Sequence, residues 1–335
     1  MIKAIPSNGR GPFPRRPKPA RSKARALRHK RFRLQKTLQL FVLLGMAYLL
    51  IFNFMPMVGI IVAFKKYSIQ NGFVGIFTGE WVGFRYFVEF FTDYKFATVL
   101  TNTLAISLLK IAMSFPAPIL LAIMLNEVRR SGFKRFVQAV SYLPHFISWV
   151  VVAGIMTAFF SESKGVINQL LVGSGLIDKG IPFLTSANLY WGLATWTSVW
   201  KSTGWWSIIF LAAIAGVDPA LYEAAQIDGA SRLRRIWHVT LPGIRSSIVV
   251  VLILTVGGLL GGGIMGGNFD QTMMLGNTLN NSRSEIIQTY AFRTGMVDLR
   301  FNYATAIDLS QSVISLVLIF ASNAVSRKVA QTSLF

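Results

Sequence analysis

The chain has 335 residues, 53% of them hydrophobic and only 14% charged, against about 25% charged in an average soluble domain. It carries a net charge of +21 and no cysteine, which excludes disulfides and thiolate chemistry. Its three histidines, His29, His145 and His238, are too far apart to show a ligand spacing, so no metal site is expected.

Residues 1–36 hold thirteen Lys and Arg and no acid; the first acid is Glu80. Such an arm is compatible with nucleic-acid binding or with a transit peptide. It stands directly before an apolar run, however, and reads best as a segment that keeps this end cytoplasmic and attracts anionic headgroups, with no nucleic acid as partner. The piece PSNGRGPFPRRPKP lacks core-forming residues and is expected to be disordered. The apolar run that follows is too long for a signal-peptide h-region and ends without a small-residue cleavage site.

Six apolar spans follow, at about 37–64, 98–125, 136–160, 189–217, 244–264 and 303–325, each near the roughly 20 residues needed to cross hydrocarbon. The expected fold is therefore an all-α integral membrane protein, with a permease domain over 37–328. The connection after the second span carries Arg129, Arg130, Lys134 and Arg135, and the one after the fourth carries Arg232, Arg234, Arg235 and Arg245. The alternate loops mix acids and bases. The positive-inside rule places both termini and these two basic connections in the cytoplasm. The first outer loop is aromatic; Phe84, Phe87 and Phe91 share a helical face, which suits an interfacial helix or a docking face.

Lys110, Lys201 and Asp308 fall inside spans, where a charge marks either a buried pairing or a solute pathway. Trp205 and Trp206 flank Lys201 in SVWKSTGWW, and Gln311 follows Asp308 in ATAIDLSQS; together they are candidate pathway residues. The run GGLLGGGIMGG at 257–267 allows close helix packing or local unwinding. No GxxxxGK[ST], HExxH or GxSxG motif occurs, so no catalytic residue is expected.

The stretch 218–242 is polar between two spans. Asp218-Pro219 has the form of a helix N-cap followed by proline. Gly229 is placed to end that helix, and Ser231 to cap a second short one. The result is a hinged pair of cytoplasmic helices, suited to docking on a soluble partner or to resting on headgroups. Glu223-Ala224-Ala225, Asp228-Gly229-Ala230 and Leu241-Pro242 resemble the EAA loop, EAAxxDGAxxxxxFxxIxLP, of permease subunits of binding-protein-dependent ATP-binding-cassette (ABC) importers. The spacing matches without a gap; Ile236 and Val239 replace the usual Phe and Ile. SYLPHFISWVVVAGI (141–155), GVINQLL (165–171) and NFDQTMMLGN (268–277) resemble the carbohydrate-uptake branch, most of all oligosaccharide and polysaccharide-fragment permeases.

The resemblance implies a type I importer fold in the bacterial cytoplasmic membrane, with a coupling helix between spans four and five. It also implies four partners: a second related permease, a cytoplasmic ABC ATPase dimer, an extracytoplasmic solute-binding protein and an oligosaccharide solute. ATP and Mg would be held by the ATPase, leaving no cofactor on this chain. Glu223 and Gly229 carry over as the contact and the turn of the coupling loop. The alternative of another class is an ATP-independent secondary transporter or channel, which should show an internal repeat. None is visible: Pro116 and Pro118 in span two have no counterpart in span five.

Overall fold

The computed structural model describes residues 21–257, 260 and 267–330. The chain divides into two compact units, Met1–Gly59 and Ile60–Phe335. In the first, α1 (Arg21–Leu49) runs into a π-helical turn, Leu50–Phe54. Leu40, Phe41, Val42 and Leu43, which point to all sides of the helix, are exposed, as suits a span in hydrocarbon. The division falls inside the expected first span, 37–64. Side chains from Leu38 to Met57 are exposed except the half-buried Ala47, whereas Val62 and Ala63 are buried.

The second unit opens with a ribbon in which β1 (Lys65–Lys66) pairs antiparallel with β2 (Glu80–Trp81), Lys65 opposite Trp81. Phe64 stacks on Trp81 at 5.6 Å and meets Phe84 edge-on at 5.4 Å. On α2 (Arg85–Thr92), Phe90 is buried and Phe87 packs on Phe64, while Phe84, Val88 and Phe91 form an exposed stripe. The aromatic loop is thus divided between a core face and an outward face.

The helices α3 (Phe96–Ser114) and α4 (Pro116–Glu127) make one apolar stretch of 32 residues. Next, α5 (Ser131–Tyr142) and a 3-10 turn, Leu143–Phe146, meet α6 (Trp149–Phe160) at 106°. The expected third span, 136–160, is therefore broken. Pro144 supplies no N–H, Ile147 is extended, and Ser148 caps α6 by accepting from the Val151 N–H. After α7 (Val166–Gly173), the long α8 (Ala187–Ala215) packs against α3, α4 and α5. A Cβ on Gly204 would lie 2.0 Å from the Ser141 carbonyl oxygen, so only glycine lets α8 cross α5 this closely.

The remaining helices are α9 (Pro219–Ile227), α10 (Arg232–Arg235), α11 (Arg245–Gly257), α12 (Asn268–Leu275), α13 (Asn281–Ser284), α14 (Ile287–Met296) and α15 (Phe301–Ala330). Among the described residues, three helical stretches, Gln35–Phe64, Phe96–Glu127 and Phe301–Ala324, are long and apolar enough to cross a membrane. The count rises to six if each of three bent helix pairs is one span. The glycine-rich run lies outside the described residues except for Gly257, Leu260 and Gly267.

Candidate functional site

The stretch 218–242 is built from local caps. Asp218 Oδ1 accepts from the Ala220 N–H at 2.9 Å and starts α9. Gly229 has φ +72°. The Gly229 N–H reaches the Gln226 carbonyl at 3.1 Å and the Ala230 N–H the Ala225 carbonyl at 2.9 Å, which satisfies carbonyls left open at the helix end. Ser231 Oγ then caps α10, accepting from the Arg234 N–H at 3.4 Å. A π-helical turn, Ile236–Thr240, and a short helix, Leu241–Gly243, lead into α11 across a bend of 63°.

The two arms of this hairpin are fastened at the base. Tyr222 Oη donates to Thr240 Oγ1 at 3.0 Å. Val217 sits against Gly243, where a Cβ would come within 2.7 Å of Val217 Cγ2. Tyr222, Val239 and Leu241 pack on the buried cluster of Phe115, Phe210, Ile214 and Ile244. Above this base the tip is uncovered. Glu223, Ala224, Asp228, Gly229 and Pro242 are exposed, while Ala225, Ala230 and Leu241 are half-buried. Leu221, Ile227, Leu233 and Trp237 add large exposed apolar surface. The site therefore offers carboxylates, small side chains and apolar bulk on a braced hairpin.

The in-span charges are placed as follows. Lys110 Nζ donates to Asn268 Oδ1 at 2.7 Å, and Asn268 Nδ2 donates to Ser107 Oγ at 2.8 Å. Lys201 Nζ donates to the carbonyls of Pro144, at 3.1 Å, His145, at 2.9 Å, and Ile147. It thereby caps the break in the third span, lying also over the Trp149 ring at 5.6 Å. Trp205 stacks on His145 at 4.6 Å, whereas Trp206 packs on the cluster with Phe115. The structure thus gives each tryptophan its own packing partner, and Lys201 is engaged by backbone. Asp308 is exposed and makes no ion pair among the described residues. Gln311 Nε2 donates to the Leu260 carbonyl at 2.7 Å, and its buried Oε1 has no partner among the described residues.

Residues 114–331 match the family described as binding-protein-dependent transport system inner membrane component. The chain belongs to this family. Among curated relatives, Protein LplB of Bacillus subtilis (strain 168) is 43% identical over 300 residues, covering 90% of this chain and 91% of LplB. The polygalacturonan/rhamnogalacturonan transport system permease protein YteP of the same organism is 41% identical over 301 residues, with the same coverages of 90% and 91%. Among solved structures, a chain of a bacterial ABC transporter involved in import of the acidic polysaccharide alginate matches with TM-score 0.80 at 36% identity. That match covers 90% of this chain and 98% of the other. The same kind of transporter, in complex with an alginate pentasaccharide-bound periplasmic protein, matches with TM-score 0.80 at 35% identity, covering 91% and 99%.

The permease is thus an α-helical integral membrane component of an ABC import system. Several of its positioning residues act on groups far away in sequence. Gly243 and Gly204 matter through the close approach of distant backbone and side chains, which no local pattern displays. Asn168 closes the 161–181 segment by donating to the Ser161 and Ile181 carbonyls and accepting from the Ile181 N–H. Asn268 is the partner of Lys110 from 158 residues away. Its place in a span-flanking polar run, NFDQT, is the signal that marks it.

Proposed function

We propose that the permease forms half of the translocation pathway of an ATP-driven oligosaccharide importer and receives the work of ATP through residues 218–242. The observation that carries this reading is the braced hairpin with an uncovered tip. Bracing by Tyr222–Thr240 and Val217–Gly243 makes the tip move with spans four and five. Exposed Glu223 and the apolar Leu221, Ile227, Leu233 and Trp237 suit a groove on a soluble subunit. In this reading Glu223, Ala224, Ala225, Asp228, Gly229, Ala230, Leu241 and Pro242 make or shape the ATPase contact. ATP and Mg are held by that ATPase dimer. A second, related permease completes the pathway, and an extracytoplasmic binding protein delivers the solute.

The solute class is supported by the relatives' descriptions: polygalacturonan and rhamnogalacturonan for one, alginate for another. Asp308, which makes no ion pair among the described residues, and Gln311, whose buried Oε1 has no partner among them, are the pathway candidates. Lys201, Trp205 and Trp206 contribute by holding the walls. The basic connections keep both termini and the 218–242 hairpin cytoplasmic.

Purification of the tagged chain from detergent tests the coupling role. Wild type should bring down an ATP-hydrolysing subunit, and Glu223→Arg or Gly229→Pro should lose it while the chain stays in the membrane. Sugar transport by the purified chain alone in liposomes without ATP would overturn the proposal.

A further inference from the structure

A cleft of about 360 Å³ lies between α12, α13 and α14, lined among others by Met273, Thr278, Asn281, Ser284, Phe292 and Arg293. It belongs to the segment joining spans five and six, and so falls on the face opposite 218–242, the extracytoplasmic one in the proposed orientation. The backbone around it is fixed by side chains from other elements. Asn102 Nδ2 donates to the carbonyls of Ser282, at 3.1 Å, and Glu285, at 2.9 Å. Trp191 Nε1 donates to the Arg283 carbonyl at 2.9 Å. Asn277 and Asn280 both donate to the Leu184 carbonyl, at 2.9 and 2.8 Å. Beneath the cleft the buried Glu285 carboxylate is held by Lys95 at 2.8 Å and by Arg293.

Against this fixed frame, three polar side chains of the lining are left over. The Asn281 amide, the Ser284 hydroxyl and the Thr278 hydroxyl make no hydrogen bond among the described residues, although Ser284 is only 2% exposed. Beside them Phe292 and Met273 are 40% and 42% exposed, and Phe292 is steadied edge-on by Phe269 at 5.4 Å. Apolar surface next to unengaged amide and hydroxyl groups, on a rigid frame, matches the C–H face and hydroxyl rim of a sugar ring.

We propose that this cleft is an outer saccharide-binding subsite of the permease, which contacts a sugar unit of the solute before it enters the pathway. The proposal rests on the oligosaccharide-import reading. The absence of cysteine in the chain allows a direct test. Asn281→Cys and, as a second probe of the same cleft, Thr278→Cys are assembled with the partner subunits in proteoliposomes. Labelling by a membrane-impermeant maleimide is then timed with and without millimolar galacturonate trisaccharide, mannuronate trisaccharide or maltotriose. At least one sugar should slow labelling by about fivefold or more at either variant. Leu279→Cys, on the same loop but outside the cleft, should label at an unchanged rate.

Protection by sugar-free binding protein and by none of the sugars would make the cleft a protein-docking surface and overturn the proposal. No protection at either variant would also overturn it. Uptake is followed in wild-type vesicles in parallel. If they import none of the three sugars, the import reading itself falls and this proposal with it; if they import one that gives no protection, only the cleft assignment falls.

Discussion

Gly229 and Gly243 are both required to be glycine, for different reasons. Gly229 has φ +72° and nothing within 4 Å of a would-be Cβ, so its constraint is conformational only, about 1–2 kcal/mol for an ordinary residue. Coupled ATPase activity should therefore fall in the order Gly229→Asn, Gly229→Ala, Gly229→Pro, the last abolishing it because proline cannot reach positive φ. Gly243 is limited by space. Gly243→Ala should lower stability by about 1–3 kcal/mol, read as a fall in melting temperature in detergent. Adding Val217→Ala should recover part of the loss, with a coupling of at least about 0.5 kcal/mol. Between α2 and α3, burial would raise the pKa of Asp93. Hydrogen bonds from the Lys95 N–H and from the Tyr303 and Tyr290 hydroxyls outweigh that and hold it below the ordinary 3.8. A lowered carboxylate pKa stabilises the fold above the ordinary value and loses that contribution as pH falls through the lowered one. Melting temperature should thus be flat from neutral pH to about 5 and drop below about 4, with Asp93→Asn lacking that drop.

At the scale of the element, the broken third span turns on Lys201. Its ammonium group satisfies three carbonyls where the 3-10 turn ends and α6 has not begun. Lys201→Met takes the lysine donor from the His145 and Ile147 carbonyls, while the Pro144 carbonyl keeps the Ile147 N–H, and should cost about 2 kcal/mol or more, whereas Lys201→Arg keeps a donor and should be milder. Melting temperature and transport should fall together for all saccharides. A change of preference between acidic and neutral saccharides with an unchanged melting temperature would instead make Lys201 a solute contact. The hairpin 218–242 differs from this break in how far its neighbours report it. Asp218, Pro219, Gly229 and Ser231 act on residues one to five positions away, so its caps were readable from the sequence. Lys201 acts on carbonyls more than fifty residues away, and its sequence neighbours, the tryptophans, suggested a different role.

For the whole molecule, the proposed orientation rests on the distribution of charge. Residues 1–36 hold thirteen basic residues and no acid, yet Arg31, Arg33 and Lys36 stand nearest the first span, within the distance over which such charges act. Deleting residues 1–30 should leave membrane insertion and transport nearly intact, measured by protease protection and uptake. Loss of assembly on that deletion would show that the arm has a partner of its own. The division of the chain at Gly59 has no counterpart in composition, because exposed and buried apolar residues look alike in sequence.

What the sequence determined by itself is what depends on neighbours along the chain: apolar stretches of membrane-crossing length, the basic connections between them, and the capped and hinged stretch 218–242 with the family it resembles. Hydropathy, charge placement and helix capping all act within a few residues, so they are written locally. Tertiary structure alone decided which polar groups meet. It placed Lys110 on Asn268, Lys201 on the break at Pro144, Gly243 against Val217, and the pinned outer cleft beside Phe292. Those outcomes depend on hydrogen-bond geometry and close packing between distant segments, set only when the helices have packed together.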